Sequence, residues 1–416
     1  MACEQVTLQD VCELIVDCPH TSAKDEGVGY PLIRTPNVGR GRLILTDVHR
    51  VSQDVYERRV SRAVPRQGDL ILAREAPAGN VAIVSPGIEV CLGQRTMLLR
   101  PDSSFVVPEY LNYYLNAPEQ RDRMLRLANG ATVSHINVAD IRNMPVQLPS
   151  RGEQSKVAEL LNVLDDKIDL NNRLNDYLSQ ICDAEFTDFV SNQRDASWHD
   201  GTLNELVEIR YGKDHKKLAE GPYPVYGSGG FMRSVEKPLS SGESVLIPRK
   251  GSLNNVMYVD EKFWTVDTMF FTIPLKPGAA KYVYQYTKRL DFGTMNSGSA
   301  VPSMTTKILN SLVIPIPSDS ALVSFNKKLQ PFFDLFGKNE EENRRLVSLR
   351  DILLPKLMSG EIDVSKVDLT QLTNNHLPAR GHNVPNCYWK EPLWKPSLIV
   401  FCRRCRTCLI RHSSNI

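Results

Sequence analysis

The chain has 416 residues, 42% of them apolar and 24% charged, with a formal net charge of +2, the profile of a globular protein with room for two or three cores. The balanced charge argues against a whole-molecule polyanion binder, and no apolar run approaches the roughly 20 residues that cross a bilayer. The opening "MACEQVTLQDVCEL" has neither the basic start nor the apolar core of an export signal, so a cytosolic chain is expected, with its nine cysteines as thiols.

Residues 1–150 read as a first globular domain. Short apolar runs rich in Val, Ile, Tyr and Thr alternate with turn signals such as "PAGN". That is a mostly β pattern, with a short helix around "PEYLNYYL" (108–115). This stretch holds fifteen arginines and a single lysine, balanced by acidic residues. A composition bias on solvated faces accounts for that. So does a choice of Arg for its planar fork, which suits phosphate and guanine edges. Candidates for reading a nucleic acid are the loop residues His20 and Thr21. Arg34, Asn37, Arg40 and Arg42 join them in "IRTPNVGRGR", where glycines permit close backbone approach, as do Arg74 and Asn80 around "REAPAGN". Taken singly, each is also an ordinary turn or surface residue.

Residues 151–190 predict one long helix that fades near Phe189. Val157, Leu161, Leu164, Ile168, Leu178 and Ile181 fall at three- and four-residue spacings, an apolar seam interrupted by Asn171 and Asn175. Asp165, Asp166 and Lys167 within it read as a solvated face rather than a nuclease site.

Residues 191–318 predict a second mostly β domain with a short helix around "KYVYQYTKRL" (281–290). Its nucleic-acid candidates are Arg210, Lys213, His215 and Lys216 in "RYGKDHKKL", Tyr226 and Ser228 in "VYGSGGF", and Arg249, Lys250 and Asn254 in "PRKGSLNN". The Gly-Ser-Gly-Gly loop is either a phosphate cradle or a tight turn. Residues 319–366 predict a second long helix with a seam of Phe325, Leu329, Phe332, Phe336, Leu346 and Leu349. Asn339 and Asn343 interrupt it, Pro355 disrupts its last turns, and Gly360 stops it.

These parts form a tandem repeat. "GATVSHINVADIRNMPVQLPS" (130–150) returns as "GSAVPSMTTKILNSLVIPIPS" (298–318), 168 residues later, and both Asn pairs keep that offset. Upstream, "VTLQDVCELI" (6–15) answers "GTLNELVEIR" (201–210), and "QGDLILAR" (67–74) answers "SGESVLIP" (241–248). An Asn in a helical seam fixes register, so the two helices are expected to pack together with one Asn layer near the other. The 130–150 and 298–318 strips offer Ser134, His135 and Asn137, and Ser303, Thr305 and Thr306, as groove-facing groups. Their stronger reading is as the joint between domain and helix. A domain–helix duplication makes one chain behave as a two-fold dimer. Antiparallel helices of about 35 residues would form a rod of roughly 50 Å with a domain at each end, enough for DNA half-sites one turn apart.

The motifs resemble those of the DNA-specificity subunit of type I restriction-modification systems. "EQSKVAELLNVLDDKIDLNNRLNDYL" resembles that family's central conserved helix and "NRRLVSLRDILLPKLMSGEIDV" its distal one. "LQDVCELIVDCPHTSA", "YPLIRTPNV" and "GPYPVYGSGG" resemble openings of its target-recognition domains. The likeness covers about residues 4 to 366. It implies an α+β fold of two target-recognition domains separated by an antiparallel coiled coil. It also implies a non-catalytic chain in the cytoplasm of a bacterium or archaeon, binding a bipartite double-stranded DNA site. Two adenine-N6 methyltransferase subunits and motor-nuclease subunits would be the partners, with no membrane contact, cofactor or metal in this chain. The sequence lacks both a G-x-x-x-x-G-K-[ST] loop and an Asn/Asp-Pro-Pro-aromatic strip, so a single-chain methylating enzyme is disfavoured. A pseudo-dimeric coiled-coil scaffold that binds only proteins is the alternative.

Residues 367–416 have no repeat partner and read as an atypical, disordered extension. Cys387, Cys402, Cys405 and Cys408, with His382 and His412, contain one pair-like arm of a zinc site, where a structural site wants two.

Overall fold

The computed structural model describes residues 4–128, 135–295 and 303–366. Ser134 and the cysteines and histidines of the 367–416 segment lie outside the described residues.

The first domain contains β1 (Glu4–Thr7), β2 (Cys12–Asp17), β3 (Tyr30–Ile33), β4 (Gly41–Arg42), β5 (Arg50–Val51) and α1 (Gln53–Arg59). These are followed by β6 (Leu70–Ala73), β7 (Val81–Ile83), β8 (Cys91–Leu92), β9 (Thr96–Pro101), α2 (Pro108–Asn116), α3 (Pro118–Leu127), α4 (Val138–Arg142) and β10 (Pro145–Leu148). The long helix α5 (Arg151–Asn192) comes next. The second domain then runs β11 (His199–Thr202), β12 (Val207–Tyr211), β13 (Tyr223–Gly227), β14 (Gly230–Val235), β15 (Ser240–Pro248), β16 (Met257–Thr265), β17 (Met269–Pro274), α6 (Ala279–Thr287), α7 (Thr306–Asn310) and β18 (Val313–Ile316). The second long helix, α8 (Asp319–Met358), closes the order.

The main sheets are β2-β9-β6-β7-β4 in the first domain and β12-β17-β15-β16-β13-β14 in the second. Their inner strands are apolar without alternation ("LILA" in β6, "VLIP" ending β15) because both faces are covered.

The repeated strip is the clasp of each domain. β10 pairs antiparallel with β1, Thr7 opposite Pro145, and β18 pairs antiparallel with β11, Thr202 opposite Val313. The Leu8 amide donates to Met144 O at 2.8 Å and the Leu203 amide to Leu312 O at 3.0 Å. The strand that opens each domain is therefore hydrogen-bonded to the strand that leaves it. The strip's final Pro-Ser launches the long helix. Proline disfavours helix in the residue before it, and the serine hydroxyl then caps the first turn. Ser150 Oγ accepts from the Glu153 amide (3.4 Å) while Glu153 Oε2 accepts from the Ser150 amide (3.1 Å), a capping box. Ser318 Oγ accepts from the Ala321 amide at 3.4 Å.

α5 and α8 pack antiparallel, and each domain's core is finished by the start of one helix and the end of the other. Val157, Ala158 and Leu161 of α5 join Leu354 and Leu357 of α8 beneath Tyr110, Leu111 and Tyr114. Phe186 and Phe189 of α5 join Leu322, Phe325 and Leu329 of α8 beneath Tyr282 and Val283. Between those ends the seam is polar. Asn171 Nδ2 donates to Asn343 Oδ1 (2.9 Å) and Asn339 Nδ2 to Asn175 Oδ1 (2.7 Å), with all four asparagines buried.

Four expectations about the helices need correction. α5 continues to Asn192, three residues past Phe189. Pro355, like Pro331, sits inside α8 without ending it; Gly360, at φ +73°, lies just past the end. Ile181, Phe336 and Leu349 are exposed, because the buried stripe of α5 runs Asn175, Leu178, Cys182, Phe186 and Phe189, one position past Ile181. Asp165 is buried rather than solvated. It accepts hydrogen bonds from Tyr113 Oη (2.6 Å) and Arg350 Nη1 (2.9 Å). Asp166 binds Arg42, and Lys167 binds Asn171 and Glu342.

The described cysteines Cys12, Cys18, Cys91 and Cys182 are free thiols, and burial pushes Cys91 and Cys182 up to about 11. No helix among the described residues is long and apolar enough to cross a membrane.

Candidate nucleic-acid interface

Backbone hydrogen bonds identify one arginine that occupies the same place in both domains. The Arg74 amide donates to Arg95 O (2.8 Å), and Arg74 O accepts from the Ile136 amide (3.2 Å). The Arg249 amide donates to Thr268 O (2.8 Å), and Arg249 O accepts from the Met304 amide (2.9 Å). Ile136 and Met304 are themselves 168 residues apart. The sequence pairing of "QGDLILAR" with "SGESVLIP" set Arg74 against Pro248, one residue short of Arg249. Both arginines leave the end of an inner strand, β6 or β15, where the strip returns past it.

The two environments differ. Asp17, which ends β2, holds Arg74 Nη1 at 2.6 Å, and Ile136 O accepts from its Nε at 2.9 Å. Tyr211, which ends β12, lies under Arg249 with 5.5 Å from guanidinium carbon to ring centroid. Arg74 is buried; Arg249 is half-buried, its Nη1 donating to Asp267 O at 3.3 Å.

In the second domain most candidates gather around Arg249. Tyr211 Oη lies 3.3 Å from Thr306 Oγ1. Lys250 bridges Ser303, and Asn255 Nδ2 donates to Ser228 O at 2.8 Å. Asn254 Nδ2 donates to Asp291 Oδ1 at 3.0 Å and its Oδ1 accepts from the Gly293 amide at 3.3 Å, so this side chain is engaged by the fold. Thr305 Oγ1 accepts from the Ile308 amide, capping α7. Lys213 and Lys216 are exposed on the loop between β12 and β13, beside Trp264, whose Nε1 donates to Lys213 O at 2.8 Å. His215 is half-buried in the same loop. Arg210 is exposed but forms two 2.9 Å bonds to Glu208. Tyr226 donates to Glu261 at 2.6 Å, and burial followed by that bond pushes its hydroxyl's pKa up, so it remains a donor. Phe231 and Met232, exposed on β14 next to the Gly-Ser-Gly-Gly turn, were missed by a search for polar readers.

In the first domain several candidates are engaged by the protein, which corrects their reading as free contact groups. Asn37 is buried, bonded to Ile44 O and the Arg34 amide. Arg42 reaches Asp166 on α5 at 2.9 Å and ties the domain to the helix. Asn80 spans Val38 O and Arg121, and Arg74 is held as described. Arg34 is half-buried. His20, Thr21 and Arg40 are exposed. Asn137 precedes α4 and donates to Asp140.

His20 begins a continuous chain of charged and polar contacts: His20 to Asp17 (3.2 Å), Asp17 to Arg74 (2.6 Å), Arg74 to His135 (2.7 Å), His135 to Glu75 (2.9 Å) and Glu75 to Arg95 (2.9 Å). Arg74 can only donate, so His135 accepts at Nε2 and carries its hydrogen on Nδ1, facing Glu75. Arg95 was overlooked because no motif marks it. Its unusual backbone angle is not visible in sequence.

The sequence profile of the type I restriction modification DNA specificity domain matches residues 2–180 and 196–347. The chain is 22% identical to the type I restriction enzyme MjaIX specificity subunit of Methanocaldococcus jannaschii, over 77% of this chain and 84% of that one. It is 20% identical to the HindI specificity subunit of Haemophilus influenzae, over 71% of this chain and 87% of that one. The fold is similar to the crystal structure of a type I restriction-modification S subunit from M. genitalium, with a TM-score of 0.51, 18% identity, and 86% and 96% of the two chains covered.

Proposed function

Because this chain belongs to the type I restriction modification DNA specificity family, we propose that it reads a bipartite, asymmetric double-stranded DNA site for partner subunits that do the chemistry. It is the DNA-sequence specificity subunit of a type I restriction-modification system. The supporting observation is the pair of equivalent but chemically different domains, each closed by the same clasp, at opposite ends of one antiparallel helix pair. Two different reading surfaces on a pseudo-two-fold frame suit two different half-sites. Helices of 42 and 40 residues, about 60 Å long at 1.5 Å per residue, exceed the spacing of half-sites one DNA turn apart.

In this reading residues 1–150 and 191–318 recognise DNA, and 151–190 and 319–366 space the two halves. The Asn171–Asn343 and Asn175–Asn339 layers set the register, since slipping either helix would leave buried amides unpaired. Arg249, Lys250, Lys213 and Lys216 supply the second domain's cations, with Arg249 the base-reading group and the lysines phosphate contacts. The outward stripe of Leu170, Leu174, Tyr177 and Ile181 on α5, with Leu349 and Ile352 on α8, is the docking face for two adenine-N6 methyltransferase subunits. Motor-nuclease subunits complete the assembly for cleavage, in the cytoplasm.

Arg249→Ala is expected to weaken binding to the cognate site by about 10- to 100-fold and to relax the sequence requirement in the second domain's half only. Lys250→Ala should instead weaken all sequences alike and lower the slope of log affinity against log salt by about one. Titration of the chain, assembled with a methyltransferase subunit, against cognate and mismatched duplexes at several salt concentrations checks both. A scaffold that binds only proteins would show no dependence on duplex sequence.

A further inference from the structure

Arg95 lies at the turn between β8 and β9 with φ +65°, in the left-handed region where glycine is relaxed and a long side chain is strained. The backbone there is pinned on both sides. The Gly93 amide donates to Ile33 O (2.7 Å), Arg95 O accepts from the Arg74 amide (2.8 Å), and Thr96 O accepts from the Cys18 amide (3.2 Å). Glycine would satisfy this turn better, so the strain is retained for what the side chain does.

That side chain is 56% exposed and pre-oriented. Glu75 Oε2 sits 2.9 Å from its Nε, and Glu75 Oε1 lies 2.9 Å from His135 Nδ1. His135 is in turn fixed by buried Arg74 and Asp17. A carboxylate against Nε leaves the two terminal nitrogens of the fork as donors, the pair that matches O6 and N7 of guanine.

Comparison with the second domain sharpens the point. Arg95 and Thr268 occupy equivalent places, since each accepts the amide of its domain's repeat arginine. Where the second domain exposes Arg249 and has a threonine beside it, the first buries Arg74 against Asp17 and exposes its neighbour, Arg95. The free guanidinium has moved one strand end across the same surface.

Building on the reading of this chain as a DNA-specificity subunit, we infer that Arg95 is a specificity-determining contact of the first domain and places its guanidinium on a guanine edge in that half-site. Glu75 is its positioning residue, held by His135, Arg74 and Asp17.

The test uses the full chain co-expressed with an adenine methyltransferase subunit. Methylated motifs are mapped by single-molecule sequencing, and binding to the mapped site is titrated as a duplex. Arg95→Gly is expected to melt no lower than the parent, because it relieves the left-handed strain. It should keep the second half of the motif, become degenerate at one position of the first half, and bind the parent site about 10- to 100-fold more weakly. Glu75→Gln, which keeps the shape and removes the charge, should give a smaller loss at that same position. An Arg95→Gly complex that methylates the parent motif with affinity within twofold overturns the inference. So does a variant that melts lower and loses both halves, since Arg95 would then be structural. If the parent complex itself shows no sequence-specific methylation, the DNA-reading premise fails, a result distinct from either of these.

Discussion

Asp165→Ala is expected to cost about 3 kcal/mol and to loosen the first domain from the helix pair. That is the lower end of the range for breaking a buried ion pair by removing one partner. Asp165 is 5% exposed and its partner Arg350 18%. Removing the carboxylate strands the guanidinium in a low-dielectric seam, although Asp351 remains 3.1 Å from Arg350 and tempers the loss. The Tyr113 hydroxyl loses its acceptor at the same time, keeping only the Asn162 contact at 3.0 Å. Burial, and then the Asp165 charge, push that hydroxyl's pKa up, so it stays a donor. Asp165→Asn separates the two effects: the amide oxygen still accepts from Tyr113, while Arg350 loses its charge partner. Its cost should fall between the parent and Asp165→Ala. Hydrogen exchange read by mass spectrometry is the suitable measurement, because two domains need not unfold together. Faster exchange is expected across 151–165 and 350–358, with the second domain's end unchanged. Exchange rates like the parent's would show that the ion pair does not hold this joint.

Glu243→Ala is expected to be at least as damaging at the opposite end, about 3–5 kcal/mol. Lys281 on α6 is fully buried, its ammonium bonded to Glu243 Oε1 and lying 5.3 Å from the Tyr258 ring centroid and 5.5 Å from that of Phe333. Tyr258 Oη donates to the same carboxylate at 2.6 Å. Without Glu243 the buried charge keeps only ring faces and more distant acids. Adding Lys281→Met to Glu243→Ala should recover most of the loss, because the uncompensated charge causes the damage. Denaturant unfolding monitored at the tryptophans reports mainly on this domain, since Trp198 and Trp264 both lie in it. A double variant no more stable than Glu243→Ala alone would contradict the mechanism.

These two joints occupy equivalent positions with different chemistry. Phe333 stands 168 residues after Asp165, and Tyr284 has the place in α6 that Tyr113 has in α2. Tyr113 meets a carboxylate; Tyr284 meets the Phe333 ring at 5.9 Å. This divergence explains what the sequence could and could not reveal. The repeat, the clasps and the long helices were legible because strip, cap and Asn pair recur at one offset. Asp165 was misread because a helical acidic residue beside Asp166 and Lys167 has the local pattern of a solvated face. Only the return of α8, bringing Arg350 from 185 positions away, buries it. Asn37, Arg74 and Asn80 were misread for a related reason. A polar residue in a glycine-rich loop has the same local signature whether it faces solvent or a backbone carbonyl. Arg95 was invisible because its backbone angle depends on strands 60 or more residues away in sequence. The Arg74–Arg249 correspondence required hydrogen-bond partners, since the intervening loops differ in length.

The central claim is that two unlike domains read two unlike half-sites. Replacing residues 1–150 with the corresponding domain of another family member, then mapping adenine methylation in a host expressing the chimera with a methyltransferase subunit, tests this most directly. The parent should methylate one bipartite, non-palindromic motif, and the chimera should change one half while leaving the other half unaltered. A contiguous or palindromic motif, or a replacement that alters both halves, would contradict the account.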